Sequence, residues 1–533
     1  MTDRAASPEA ALSVWRPLHR PIFRRLLVAD VLSDIGTFMQ SVGSAWLMVS
    51  LGAGPFNVAL TQAAATLPFF VFALPAGAIG DIVDRRKLIL CCEVWMAGVA
   101  LVLAITTLTH VITPWLLLGL TFALSAGDAV ETPTWRALLP ELVGKEDVPA
   151  ASALNGIEFN LARAVGPALA GALIAAAGVG AAFVVNVVSF FGVILIVARW
   201  RRPARTRSTP AETLGSATIA AVRYVRNAPI VRAAMLRIGV VMFCASAIFA
   251  LLPTVARTIS SSPIGYGILL GCFGAGAIGG AVVMQAAKAR WSLEVVVSGA
   301  IAIVGVTVAA MAVVHRLPAL MFVMAVSGGA WLTFISLGSA LVQTLAPDWI
   351  RARLLSVFIL ITQGGLACGS IVWGAVAARA GIGVALVAAG VATLATIALG
   401  LIARLPEDVG DVSPWHYWRM PAVLETVSPS LDDGPVLVTV EYRVGAAEVD
   451  AFLDAMHEYG RIRRRDGASR WGIFRDVEEQ DRYVETFVVN SWAEHLRQHD
   501  RLTLADRAVV QDVREHVRDE PLVRHLIYAE SEE

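Results

Sequence analysis

Charge is what this chain has least of. Asp, Glu, Lys and Arg make up 16% of its 533 residues, against 56% hydrophobic residues and a mean hydropathy of +0.66. A soluble protein of this length cannot hide so much apolar surface, so most of the chain must face lipid. Cysteine is scarce as well. Cys91, Cys92, Cys244, Cys272 and Cys368 all fall inside apolar runs without metal-type spacing, which excludes a disulfide framework and a thiolate metal centre. Histidine does not occur deep in any apolar run, because His110 and His315 sit near loops. Imidazole is therefore excluded as an intramembrane proton carrier, and no cofactor or metal is called for. Residues 1–20 carry Asp3 and Glu9 and lack a small-residue cleavage site, so no signal peptide is expected.

What remains is a series of apolar segments, each near the 20 residues that a span needs. Six lie near 24–50, 56–80, 88–109, 113–136, 151–177 and 180–199, and six more near 233–256, 265–287, 292–314, 317–345, 354–378 and 382–403. The expected domains are an N-terminal tail at 1–21, a six-helix bundle at 22–199 and a basic linker at 200–232 with an amphipathic helix near 211–228. A second bundle at 233–404, a Pro-rich linker at 405–434 and a soluble domain at 435–533 follow. Basic residues crowd the N-terminus (Arg16, Arg20, Arg24, Arg25), the Arg85 turn, the linker, Lys288/Arg290 and Arg351/Arg353, whereas the alternate loops are nearly uncharged. Positive loops resist translocation, so both termini are expected in the cytoplasm. The halves also repeat. Gly166, Gly171 and Gly178 recur as Gly369, Gly374 and Gly381 at a constant offset of 203 residues. Two parallel six-helix repeats place a substrate site between them near mid-membrane.

Between the second and third segments the chain reads Gly77-Ala-Ile-Gly80-Asp81-Ile-Val-Asp84-Arg85-Arg86-Lys87. The glycines permit close helix approach, and an aspartate at a helix end suggests a contact that is made and broken. This string resembles the loop signature of the major facilitator superfamily, departing from it at Asp84, where many members carry glycine. Gly166-Pro167 through Gly171 resembles the Gly-Pro-x-x-Gly-Gly element of the family's antiporters, with Ala170 in place of the first paired glycine. The resemblance implies a cytoplasmic gate at Gly77, Gly80, Asp81, Asp84, Arg85, Arg86 and Lys87. It also implies a hinge at Gly166, Pro167 and Gly171, with Gly369 and Gly374 as repeat counterparts; ordinary small-residue packing is the alternative. Pro140-Glu-Leu-Val-Gly144, Ala150-Ala-Ser-Ala-Leu154-Asn155 and Asn160-Leu-Ala-Arg163 resemble the transmembrane secretion-effector branch, which includes the enterobactin exporter. That branch implies efflux of a small molecule.

Ionisable groups inside spans each cost roughly 3 kcal/mol at a helix centre unless compensated. The candidates for proton or substrate coupling are Asp30, Asp34, Asp128, Glu131, Glu158 and Arg163, all in the first half, with Arg136 near a cytoplasmic end. The second half has almost none between its helix ends. Asp30 and Asp34 are four apart and share a helix face. Asp34 and Glu158 are the first choices as proton carriers; static pairs that hold helices together are the alternative.

The tail changes period. Val438, Val440, Tyr442 and Val444 alternate with polar residues as in a half-buried strand, and Val449, Phe452, Leu453 and Met456 follow helical spacing. Strands at 470–475 and 483–490, helices at 491–499 and 504–517 and a strand at 526–529 complete a β-α-β-β-α-β order. This resembles a ferredoxin-like module of the dimeric α/β-barrel type, which implies pairing of two sheets, with Tyr442 or Trp471 at the contact. Trp415, Tyr417 and Trp418 are expected at the headgroup layer. Arg461, Arg463, Arg464 and Arg465 read as a solvated basic face, not a nucleic-acid patch. Trp492, His495 and His499 lack a third ligand at metal-type spacing. The fold class is an all-α membrane protein of twelve helices with a small α+β cytoplasmic domain. The expected activity is rocker-switch export of a siderophore, drug or secondary metabolite by proton antiport, without enzymatic chemistry. The expected partners are the substrate, the bilayer and a second copy through the tail. An uptake symporter and a ligand sensor signalling through the tail are the rivals.

Overall fold

A computed structural model describes residues 15–200, 214–402, 404–405, 410–415 and 429–529, without the side chains of 73–74, 76–82, 145, 214–218 and 402. The first half runs through α1 (Pro21–Ser50), α2 (Gly54–Ile82), α3 (Arg85–Leu108), α4 (Pro114–Val143), α5 (Val148–Ala177) and α6 (Val179–Arg199). The linker helix α7 (Leu214–Asn227) leads into α8 (Pro229–Ala245), α9 (Ala247–Ile259), α10 (Pro263–Lys288) and α11 (Leu293–Ala310). Then come α12 (Leu317–Leu345), α13 (Asp348–Ala380), α14 (Ile382–Ala395) and the short α15 (Leu399–Ile402). The chain divides into two compact units. One holds Met1–Ala211, Arg237–Leu337 and Ile359–Arg404; the other holds Glu212–Leu236, Gly338–Phe358 and Leu405–Glu533.

Among the described residues ten stretches are both long and apolar enough to span a membrane, where the sequence suggested twelve. The two that fall short are α1 and α4. Each is 30 residues long, ample for a bilayer at about 1.5 Å per residue, but they carry Asp30, Asp34, Asp128 and Glu131. The expected span 233–256 is broken into α8 and α9 at Ser246. The carbonyl of Phe243 there accepts from Ser246 Oγ at 2.9 Å and from Trp373 Nε1 at 3.0 Å, and side chains that enter the backbone ladder interrupt it.

In the first unit two of the three matched glycine pairs occupy equivalent contacts, and the third shares a backbone conformation. A Cβ on Gly166 would meet Phe38 Cβ of α1 at 2.7 Å, and one on Gly369 would fall on the Phe243 carbonyl of α8. A Cβ on Gly171 would meet Ile264 Cα of α10 at 3.1 Å, and one on Gly374 would meet Ala59 Cβ of α2 at 2.5 Å. Gly178 and Gly381 end α5 and α13 with φ of 81° and 93°, a left-handed region that favours glycine. Sequence offset thus agrees with packing at two positions and with backbone conformation at the third.

The tail forms a four-stranded antiparallel sheet in the order β2-β3-β1-β4, from β1 (Val436–Arg443), β2 (Arg470–Arg475), β3 (Arg482–Val489) and β4 (Leu522–Ile527). Helix α16 (Val449–Asp466) joins β1 to β2, and α17 (Trp492–His499) and α18 (Arg507–Glu515) join β3 to β4. The last strand therefore starts four residues before its expected position. Val436, Val438, Val440 and Tyr442 are buried in one core with Phe452, Met456, Tyr459 and Val510. Trp471 packs against the same core. Tyr442 and Trp471 thus lie on the helix-covered face, contrary to the expectation that they form a contact between copies. Trp415 also joins this core instead of the headgroup layer, its backbone N–H donating to the Leu502 carbonyl at 2.7 Å; Tyr417 and Trp418 lie outside the described residues.

Of the arginines expected on a solvated face, Arg463 is buried and Arg465 half-buried, for a clear electrostatic reason. Arg463 Nε donates to Glu485 at 3.1 Å, and Arg465 bridges Asp466 and Asp506, each at 2.7 Å. Burial would lower the Arg463 guanidinium, but adjacent Glu485 holds it above its ordinary value.

The tail also gathers His495 and His499 of α17 with His525 of β4. His495 and His525 have ring centroids 4.7 Å apart, and His495 and His499 Nε2 atoms lie 3.5 Å apart. Burial first, then the His525 and His499 rings, press the His495 imidazole from 6.5 down to about 3. The unfolded chain therefore takes up that proton first as pH falls through 6.5. The tail should lose about 1.4 kcal/mol of stability per pH unit from this residue alone until about pH 3. Guanidinium midpoints of the full chain at pH 7.5 and 5, read by hydrogen exchange in β1 and β3, check this. His495→Leu should flatten the slope, and an equal slope in both proteins would refute it.

Candidate functional site

The basic turn is organised by Asp84. Its carboxylate accepts from the Arg86 and Lys87 N–H groups at 2.9 and 3.3 Å, capping α3 at the end where its orphan donors gather. A cap thus accounts for aspartate at the position where the superfamily often has glycine. Arg85 crosses to α4, donating to the Ala137 carbonyl at 2.8 Å and to Glu141 at 3.0 Å. Arg86 ties the same turn to the end of α6 through the Val197 carbonyl at 2.9 Å and the Ala198 carbonyl. Lys87 is exposed. The backbones of Gly77, Gly80 and Asp81 lie in α2, but their surroundings and the Asp81 side chain lie outside the described residues.

Deeper in the first half, carboxylates converge from four helices. Asp34 of α1 and Glu158 of α5 lie side by side within hydrogen-bonding reach, with Asp30 and Asp128 within electrostatic reach. Glu158 is buried and thus meets Asp34 instead of Arg163, five residues along its own helix. Arg163 lies over the Phe159 ring at 4.8 Å, within reach of Asp34, and Phe159 contacts Phe38 at 5.6 Å between centroids. Asp128 accepts from Thr132 Oγ1 at 3.1 Å. Glu131 of α4 lies beside Glu93 of α3, a residue absent from the expected set. Its signal was as plain as that of Glu131: a lone acid inside the apolar run that starts at Leu88. Glu93 Oε2, Glu131 Oε2 and Glu158 Oε1 are buried and have no N–H or O–H donor among the described residues. Two carboxyl groups bond only when a proton lies between them, so each pair forms a place where one proton can be held.

The hinge candidates lie on close backbone contacts. Gly171 and Pro167 of α5 face α10, where a Cβ on Gly267 would meet the Pro167 carbonyl at 2.5 Å and Gly171 Cα at 2.9 Å. A Cβ on Gly274 would meet Ala164 Cα at 2.7 Å. The partner glycines on α10 escaped sequence reading, because glycine spacing alone does not say which helix is met.

The second half also holds buried charge. Arg237 of α8 makes a bidentate pair with Glu294 at the start of α11, at 2.8 and 2.7 Å. Glu294 opens α11, and Arg237 lies near the start of the span expected at 233–256 although it is midway along α8, so sequence alone could not tell a buried pair from solvated charges. The same half carries an aromatic cluster in place of the acids: Phe249 meets Trp331 and Phe273 at 5.0 and 5.2 Å. Among the described residues no group of three or more His, Cys, Asp or Glu is placed to hold a metal ion.

The family described as transmembrane secretion effector matches residues 12–533. The chain belongs to that family. Family members need not be close in sequence. An uncharacterised MFS-type transporter of Bacillus subtilis, YfiS, is 25% identical over 42% of this chain and 56% of its own length, so that match spans just over half of the relative. The multidrug efflux pump Tap of Mycolicibacterium fortuitum is 24% identical over 67% of this chain and 89% of its own length. The crystal structure of the nucleoside transporter NupG superposes with a TM-score of 0.56 at 15% identity, covering 72% of this chain and 99% of that one. That likeness shows a shared fold. The protein is a multi-pass integral membrane transporter of this family.

Proposed function

We propose that this family member exports a small molecule by proton antiport, with two six-helix repeats alternating about a central site. The observation that carries the reading is the Asp34–Glu158 contact between α1 and α5. Removing its proton leaves two like charges side by side in low dielectric, an arrangement that favours parting the helices or admitting a cation. The glycine contacts at repeated positions support two parallel six-helix repeats, with α1 and α4 as the spans that carry the working charges. Export is supported by the Gly166-Pro167 element and by a multidrug efflux pump among the relatives. The acids of the first half and the aromatic cluster of the second suit a substrate with an apolar body. The strand order of the tail supports the ferredoxin-like reading, and the basic loops support cytoplasmic termini. Self-association of the tail would use its uncovered face, which presents Phe474, Leu522 and Leu526.

Inside-out vesicles test the direction. With an acidified lumen they should accumulate a dye cation such as ethidium, and nigericin should abolish the uptake. An uptake symporter would move dye out of the acid lumen, and no gradient-dependent movement at all would remove proton coupling.

A further inference from the structure

The second unit contains more than the tail. It also holds α7, the start of α8 and the turn between α12 and α13, and these parts meet through a small set of side chains. Glu494 of α17 accepts from three arginines: Arg223 of α7 at 2.9 Å, Arg501 at 2.7 Å and, from its own helix, Arg497 at 3.3 Å. Arg223 also reaches the Gly467 carbonyl at 3.2 Å. Beside this cluster runs an alternation of cations and rings. Arg465 lies 5.6 Å over Tyr224 of α7, Tyr224 meets Trp349 edge-on at 5.8 Å, and Arg501 lies 4.3 Å over Trp349. Trp349 opens α13, and the Tyr224 hydroxyl points to the Leu345 carbonyl at the end of α12, 3.5 Å away.

We propose that the carboxy-terminal domain is a cytoplasmic clasp, which binds α7 and the α12–α13 turn together so that they move as one piece and separate when it lets go. Three features support a clasp over a permanent weld. The Glu494 carboxylate of the tail holds Arg223 of α7 and also fixes Arg501, which lies over Trp349, so a single group bears on both segments. The contact is intramolecular, which favours closure even when each interaction is modest. Arg223 Nε and Trp349 Nε1 are buried at this seam without a hydrogen-bond partner among the described residues, so closure does not saturate it. Burial would raise the Glu494 carboxyl, but Arg501 and then Arg223 bring it down to about 2, so acidity in the physiological range does not open the clasp. This role goes beyond transport itself and assigns a task to the tail.

Hydrogen exchange on the full chain in lipid nanodiscs tests it. Glu494→Arg repels the arginines around it, and Glu494→Gln removes the charge with less risk to folding. Either should speed exchange about tenfold in residues 219–227 and in residues 345–350 together, while β1 and β3 stay protected. Faster exchange in both segments from a change in the tail would establish the clasp. Unchanged exchange, or release of only one segment, would overturn it.

Discussion

Asp34→Asn and Glu158→Gln should each cut pH-gradient-driven dye transport by roughly 100-fold, the order expected when a positioned proton-transfer group is removed. Downhill exchange of the dye should survive in both. The reason lies in the shared proton. With either partner made an amide, the new NH₂ group donates permanently to the acid that remains, and the contact no longer needs a proton to form. The helices α1 and α5 then stay together whatever the pH. Arg163 sharpens the test, since its reach to Asp34 gives the deprotonated state an alternative partner. If both variants retain wild-type pH dependence, the pair is a static fastening and the proton travels elsewhere. The Glu93–Glu131 pair would then be the place to look.

Arg463→Met should destabilise the tail by roughly 3–5 kcal/mol, because it strands a buried charge. Glu485 is fully buried and accepts from Arg463 Nε at 3.1 Å, Trp471 Nε1 at 2.9 Å and Tyr442 Oη at 2.9 Å. The two neutral donors cannot offset the desolvation of a carboxylate alone. Arg463 also sits 4.4 Å over Phe487 and 4.5 Å over Tyr459, so its loss opens packing as well. The double change Arg463→Met with Glu485→Leu should recover most of the loss, since an apolar pair of similar volume often matches a buried ion pair. Guanidinium unfolding of the full chain, followed by exchange in β1 and β3, measures both. Equal losses in the single and double variants would mean that packing, not the stranded charge, sets the cost.

Much of this was legible from residue pattern because lipid enforces it. Long apolar runs have few choices in a bilayer, so the helices from α1 to α14 lie close to their expected places, and the amphipathic α7 appears where the linker pattern put it. The shortfall in span count has the same origin as the candidate site: the acids that lower the apolarity of α1 and α4 are the ones that converge. What could not be read was partner choice. Arg463 and Arg465 look solvated in a run of basic residues, and only the fold brings Glu485 and Asp506 to them. Asp34 and Glu158 stood out as lone acids, but their pairing depends on how α1 meets α5. Gly171 was visible as a small residue, whereas Gly267 opposite it was not, because a contact has two sides and a sequence shows them one at a time.

The backbone contact of α5 with α10 has a mechanical consequence. Where Gly267 meets Pro167 and Gly171, peptide planes face each other with no side chain between them. Interlocked side chains must change rotamer to pass one another, and packed cores are bistable for that reason. A smooth surface has no teeth to disengage. Its resistance comes from dispersion alone, which is shallow per atom and changes gradually with displacement. If α5 and α10 move against each other, such a joint would serve as a bearing that holds two rods close and still lets them roll.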